Sequence, residues 1–281
     1  MKIKDCKECG FKHQELLPTQ EELDTYYKEK YDKISWHPCL NLEESAYVYF
    51  NSREIFNIVN NNIHNTLPNT ILDIGCGDGS LIEVFKHNKW EVKGIEPNKN
   101  INFKKDLDIF LGTFEEYLNE PSIRKMYSVV SLVGVLEHCR SPIEMLKQIK
   151  KIILPKGGLF IEVPNDFNPL QEIVHKGRKE NYWIAKEHIN YFNIKTLTSL
   201  LERCKFKIKY MTVSFPMELG ILLGFDYLDD EHAGKTFHNL RFNMEKELYS
   251  TKEGREFKEK LYESFKNIGI GRTILCYAEV E

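Results

Sequence analysis

The chain has 281 residues, 42% hydrophobic and 29% charged, so it is too apolar for general disorder and long enough to bury one generous core or two small ones. A formal net charge of −3 supplies no overall basic field, so no nucleic-acid partner is expected. The seven cysteines are odd in number and scattered, as at Cys76, Cys139, Cys204 and Cys276, which suits reduced thiols in the cytoplasm better than a disulfide framework.

The first ten residues carry Lys and Cys where a secretory signal would need an apolar run. The longest apolar window, Met217 to Leu228, contains Glu218 and Asp226 and falls short of the roughly 20 residues of a membrane span, so no membrane partner is expected. Cys6-Lys-Glu-Cys9-Gly10-Phe11 has the spacing of half a zinc ribbon. His13 and Cys39 could complete four ligands, but with a single Cys pair the ribbon reads as lost, and no metal is expected. Thr19 and Glu22 then form a capping box before Leu23, Tyr26, Tyr27, Tyr31 and Ile34 at helical spacing. A second helix is expected over 43–63, so residues 1–66 read as a Cys-containing segment and helical lid.

Residues 67–281 read as the core, where short apolar strands alternate with amphipathic helices, the signature of a parallel sheet covered on both faces. Strands are expected over 70–74, 91–96, 109–111, 128–133 and 158–163, with 206–213 and 273–280 completing seven. Between the fourth and fifth, Ser141 caps a helix, Glu144 closes a capping box, and Pro155, Gly157 and Gly158 end it after an apolar face that includes Ile143, Leu146, Ile149 and Ile153. A later helix carries Leu197, Leu200, Leu201 and Cys204 on one stripe. Two insertions break the rhythm: 165–194, expected to form an active-site rim, and 214–268, largely helical. Within the second, 220–228 reads as an apolar helix, and Phe237, Leu240, Met244 and Leu248 as an apolar stripe. The expected fold is a Rossmann-like, doubly wound, seven-strand, mostly parallel α/β sheet with a helical N-terminal lid and a helical C-terminal insertion.

The segment Asp73-Ile-Gly75-Cys-Gly77-Asp-Gly79-Ser80 runs from a buried strand through a glycine-rich turn into a helix, and Glu96 ends the next strand about 23 residues later, where a carboxylate can hold ribose hydroxyls. A dinucleotide fingerprint would need its third glycine at position 80, which is Ser80, and this disfavours an NAD(P)-dependent oxidoreductase. The segment resembles the first motif of class I S-adenosylmethionine-dependent methyltransferases. Gly94-Ile-Glu96-Pro97 is similar to the second, and the stretches 128–138 and 154–165 to the fourth and fifth strands of that family.

The resemblance implies S-adenosylmethionine as cofactor. Gly75, Gly77, Gly79 and Asp73 would lie at its amino-acid end, Glu96 at the ribose, and Val133 and Gly134 along the methionine chain. The usual acidic residue for adenine is missing from Gly112-Thr113-Phe114-Glu115, which leaves Thr113 and Phe114 as candidates. Glu187-His188-Ile189-Asn190-Tyr191-Phe192 resembles a segment of the branch containing quinone- and sugar-modifying enzymes. His188 and His138 are the candidate base or substrate ligands. The Asn/Asp-Pro-Pro-aromatic sequence of exocyclic-amine methyltransferases is replaced by Gly134-Val135-Leu136-Glu137, which favours an oxygen or carbon of a small metabolite, such as a nucleotide-linked sugar or glycan precursor. A homodimer and a non-catalytic binding protein on the same fold both stay open.

Overall fold

The computed structural model describes residues 2–30, 42–120, 126–176, 181–185 and 187–280. A β-hairpin comes first, β1 (Ile3–Cys6) and β2 (Phe11–Gln14), followed by α1 (Gln20–Thr25) and a wider π-type turn at Tyr26–Lys30. Thr19 and Glu22 form the expected capping box. Tyr31, Ile34 and Cys39, singled out from the sequence, lie outside the described residues.

The chain continues with α2 (Leu42–Asn62), β3 (Thr70–Ile74), α3 (Ser80–His87), β4 (Glu91–Glu96), β5 (Ile109–Leu111), α4 (Phe114–Asn119) and β6 (Tyr127–Val133). It continues through a short 3₁₀ turn (Leu136–His138), α5 (Pro142–Lys150), β7 (Ile153–Pro164), α6 (Pro169–His175), β8 (Asn190–Tyr191), α7 (Ile194–Arg203) and β9 (Phe206–Val213). The last elements are α8 (Glu218–Leu222), α9 (Glu231–Ser250), α10 (Lys252–Asn267) and β10 (Thr273–Val280).

The seven-stranded sheet has the order β5-β4-β3-β6-β7-β10-β9 and is parallel except where β10 pairs with β7 and β9. The inner strands β3, β6 and β10 are buried on both faces, which is why they read as near-continuous apolar runs, whereas the edge strands β5 and β9 are only partly buried. Leu72, Val130, Leu159 and Cys276 pack with Leu197, Leu200 and Leu201 in one cluster. Their strand neighbours Ile71, Val129, Phe160, Leu275 and Tyr277 pack with Ile55, Val59, Phe85 and Trp90 in the other. The chain winds outward from β3 to β5, then returns to β6 on the opposite side of β3, and this reversal opens a crevice beyond the carboxyl ends of β3 and β6. Among the described residues no helix is long and apolar enough to cross a membrane.

Three local expectations need correction. Ser141 makes no side-chain cap bond, and α5 stops at Lys150. Ile153 belongs to β7, which carries Pro155, Gly157 and Gly158 in its interior. Lys156 takes φ +66 there, and the pairing with β6 slips between Tyr127 and Val129, so a bulge absorbs residues that read as a stop signal. The apolar helix expected over 220–228 ends at Leu222.

The third correction concerns α9. Leu240 and Met244 are 54% and 36% exposed, whereas Arg241 and Glu245, one turn apart, are buried. Arg241 Nη1 donates to Glu245 Oε2 at 2.6 Å, the guanidinium sits 4.8 Å above the Tyr47 ring, and the Tyr262 hydroxyl donates to the same carboxylate. Mutual pairing lets two charges occupy the inner face, which a hydropathy pattern cannot anticipate. Removing one partner leaves a buried charge uncompensated, so Glu245→Ala should cost about 3–5 kcal/mol in urea unfolding. The double variant Arg241→Met/Glu245→Leu should recover most of that loss.

Candidate functional site

The 75–79 loop leaves the end of β3 and is strapped across β4, with the amides of Gly75 and Cys76 both donating to the Ile95 carbonyl at 2.8 and 3.0 Å. Gly77 and Gly79 have φ of +53 and +89, a region that penalises side chains. Their roles differ. A Cβ on Gly79, the N-cap of α3, would come within 2.3 Å of Leu107, whereas one on Gly77 would meet nothing within 4 Å. Gly77 therefore offers bare backbone to the crevice, and Gly79 allows the helix to pack.

Two carboxyl groups lie beneath this loop. Asp73 is buried and accepts from the Ser131 hydroxyl at 2.7 Å; burial pushes it up to about 7. Glu96 is also buried, with one oxygen accepting from the Gly77 amide at 3.0 Å and the other from the Asn98 amide at 2.9 Å. Burial raises its pKa against the pull of those two donors. Both line one continuous cleft of about 2220 Å³, together with Gly75, Gly77, Val133 and Gly134. That exceeds a single small-ligand pocket of roughly 300–1,000 Å³, leaving room for a cofactor and an acceptor.

These residues fit an adenosyl sulfonium. Asp73 is a desolvated acid with no cation within ion-pair distance among the described residues, a place for an ammonium group. Glu96 keeps further lone pairs for hydroxyls, since each oxygen uses one for a backbone donor. Gly134, at φ +65, ends β6 on the facing side. Thr113 and Phe114 border the cleft, but the Thr113 hydroxyl oxygen accepts from the Glu116 amide at 3.2 Å as the cap of α4, and Phe114 is packed in the core.

Beyond Gly134 the 3₁₀ turn brings up Glu137 and His138, and the segment before β8 brings up His188. The two imidazole rings meet edge to face at 4.9 Å, and Tyr27 approaches His138 at 5.7 Å. His138 Nδ1 donates to the Glu187 carbonyl at 2.9 Å, which fixes the tautomer and leaves Nε2 as an acceptor. Asn190 ties the pieces together: its side-chain amide donates to the Cys139 carbonyl at 2.6 Å, and the neighbouring Ile189 amide donates to the Glu137 carbonyl at 2.9 Å. Burial lowers both histidines, His188 to about 3, with help from the neighbouring His138 and Arg272.

Sequence reasoning missed Glu137 and Asp166. Glu137 is 3% exposed, one of its oxygens has no hydrogen-bond partner, and burial pushes it to about 8. Asp166 is likewise buried and raised to about 7. An acidic residue immediately before His138 at the end of a buried strand was the available signal for the first. Among the described residues two trios of potential ligand atoms lie within 4.8 Å of one another, Glu137/His138/His188 in the cleft and Cys6/Cys9/His13 on the hairpin.

Two outcomes follow for the cofactor end. Gly77→Val should weaken S-adenosylmethionine binding about 100-fold or more, or ~2.7 kcal/mol, in titration calorimetry. Because Asp73 must ionise to hold an ammonium group, affinity should rise as pH increases through about 7, with a proton released on binding. Asp73→Asn should bind weakly at every pH and show no such rise.

Residues 47–210, more than half of the chain, match a family model described as a methyltransferase domain. A tRNA U34 carboxymethyltransferase of Nautilia profundicola is 25% identical over 212 residues, covering 70% of this chain and 65% of that protein. A ubiquinone biosynthesis O-methyltransferase of Aliivibrio fischeri is 25% identical over 118 residues, covering 39% of this chain and 50% of that protein. The chain thus spans less than two thirds of the length of either relative. The fold is shared with a SAM dependent methyltransferase from Archaeoglobus fulgidus, at a TM-score of 0.54 and 18% identity over 84% of this chain and 94% of that one. The chain belongs to the methyltransferase-domain family.

Proposed function

We propose that the methyl group goes to an oxygen or carbon of a small metabolite, with nucleotide-linked sugars and glycan precursors the class to screen first. The observation that carries this reading is the trio of Glu137, His138 and His188 beside Gly134, with one donor atom from each within 4.8 Å of the others. Asp73, Glu96 and the glycine loop would hold S-adenosylmethionine, which would supply an electrophilic methyl group.

The chain has two tasks, holding the nucleophile in line, for which orientation can contribute roughly 7–11 kcal/mol, and taking its proton. At neutral pH His138 and His188 are uncharged, so each offers a lone pair to an acceptor hydroxyl. A group held near pKa 3 accepts a hydrogen bond but retains a proton poorly. Glu137, raised to about 8, has basicity matched to proton removal near neutrality, so it is assigned as the base and His188 as an acceptor ligand.

The rest of the cleft supports a small acceptor. Tyr182, Trp183 and Tyr227 contribute aromatic surface, which suits a sugar or planar ring. Among the described residues its charged lining is more often acidic than basic, with Glu137, Asp166, Glu187 and Glu231 as well as Lys235 and Arg272, which is unlike the basic track that a phosphate backbone requires.

With methyl-labelled cofactor, label should enter the small-molecule fraction of a metabolite extract; label confined to added tRNA would overturn the acceptor assignment. Glu137→Gln should lower kcat about 10²–10⁴-fold and abolish the rise in kcat/KM as pH approaches about 8. His188→Ala should act mainly on KM. A collapse of kcat in His188→Ala with Glu137→Gln near normal would transfer the base to the imidazole.

A further inference from the structure

The N-terminal hairpin contains a grouping that methyl transfer does not use. Cys6 Sγ, Cys9 Sγ and one ring nitrogen of His13 lie within 4.8 Å of one another, with Cys6 and His13 buried and Cys9 half-buried. Tetrahedral zinc, with bonds of about 2.3 Å to sulfur and about 2.0 Å to nitrogen, has ligand-to-ligand edges of roughly 3.5–3.8 Å, within a small contraction of that spacing. We propose that Cys6, Cys9 and His13 bind a zinc ion that staples the hairpin to the rim of the active site.

Local geometry supports a cation in three ways. The turn is a metal-knuckle type: the Cys9 amide points at Cys6 Sγ at 3.4 Å, and the Gly10 amide donates to the Cys6 carbonyl at 2.8 Å with Gly10 at φ +82. An amide directed at sulfur stabilises a thiolate. His13 Nδ1 donates to the Gln14 carbonyl at 2.6 Å, which orients the ring and leaves Nε2 as the coordinating nitrogen, the usual outer-shell arrangement of a zinc histidine. Arg203 on α7 donates to the carbonyls of Cys9 and Glu8 at 2.5 and 3.0 Å, clamping the knuckle against the core. Among the described residues no fourth Cys, His, Asp or Glu joins the group, so the remaining corner of the tetrahedron belongs to another donor.

The staple has a mechanical consequence. β2 pairs with β8, the Gln14 amide donates to the Ile189 carbonyl at 2.9 Å, and the Gln14 side chain donates to the His188 carbonyl at 2.9 Å. Phe11 packs against Phe192 with tilted rings whose centroids are 4.9 Å apart. The backbone that presents His188 is thus anchored directly to the residue following His13.

The test uses the full chain, purified under reducing conditions. Elemental analysis should find about one zinc per chain, lost in Cys6→Ser/Cys9→Ser. Cobalt(II) added to the apoprotein should give the intense absorption of a thiolate-bound tetrahedral ion, and this wild-type measurement stands if the double variant fails to fold. Zinc at about a hundredfold excess over its Kd should raise the melting temperature by roughly 5–10 °C. Chelation should speed amide exchange at 187–191 and leave β3 and β4 protected. Folded, reduced wild type that takes up neither metal would overturn the proposal. So would zinc retained by the double variant, or a Cys6–Cys9 disulfide in the native protein.

Discussion

Two carboxyl groups held out of water at the ends of adjacent parallel strands constrain the rest of the molecule. Asp73 on β3 and Glu96 on β4 are both buried, and each would be costly there without donors. The Ser131 hydroxyl from β6 serves the first, and the amides of Gly77 and Asn98 serve the second. Those donors exist only if β3 lies between β4 and β6, and if the loop after β3 doubles back over Ile95. The reversal of winding, the glycine loop and the register of three strands therefore satisfy one electrostatic requirement. The acids remain poised for a cationic, hydroxyl-bearing ligand.

The proposed acceptor end is built on a different principle. No single element carries it: Glu137 and His138 follow β6, His188 precedes β8, and Tyr27 comes from the segment ahead of the core. Asn190 spans the gap by donating to carbonyls of the 136–139 turn, and β2 adds backbone bonds from the far side. Rim position is thus set by hydrogen bonds between segments some 50 and more than 170 residues apart in sequence. Such a rim can vary its acceptor pocket without disturbing the carboxyl-lined floor.

That contrast explains what the sequence disclosed. β3, β4, β5, β9 and β10 have the bounds expected from it, because apolar runs in the inner strands and shorter or alternating ones at the edges are set off by polar turns. The glycine turn after β3 was equally legible, since positive φ and an open backbone face leave glycine as the fitting residue at Gly77. Local signals failed where a distant partner decided the outcome. Pro155 to Gly158 reads as a terminator until β6 supplies the strand against which a bulge can form. Arg241 and Glu245 read as a solvated face until Tyr47 and Tyr262 close over them.

Glu137 shows the same limit in chemical form. A glutamate after a buried strand carries no mark of its acidity, which depends on how completely its surroundings exclude water. In this fold burial is the main cause, and repulsion from the acidic neighbours Asp166 and Glu162 adds to it, so the group stays largely protonated near neutrality. Any loosening of the rim that admits water would return Glu137 toward an ordinary carboxylate, a weaker proton acceptor. The hydrogen bonds that tie β2 and β8 to the 136–139 turn therefore bear on the chemistry as well as on the shape of the cleft, because they help set the basicity of the group assigned to take the proton.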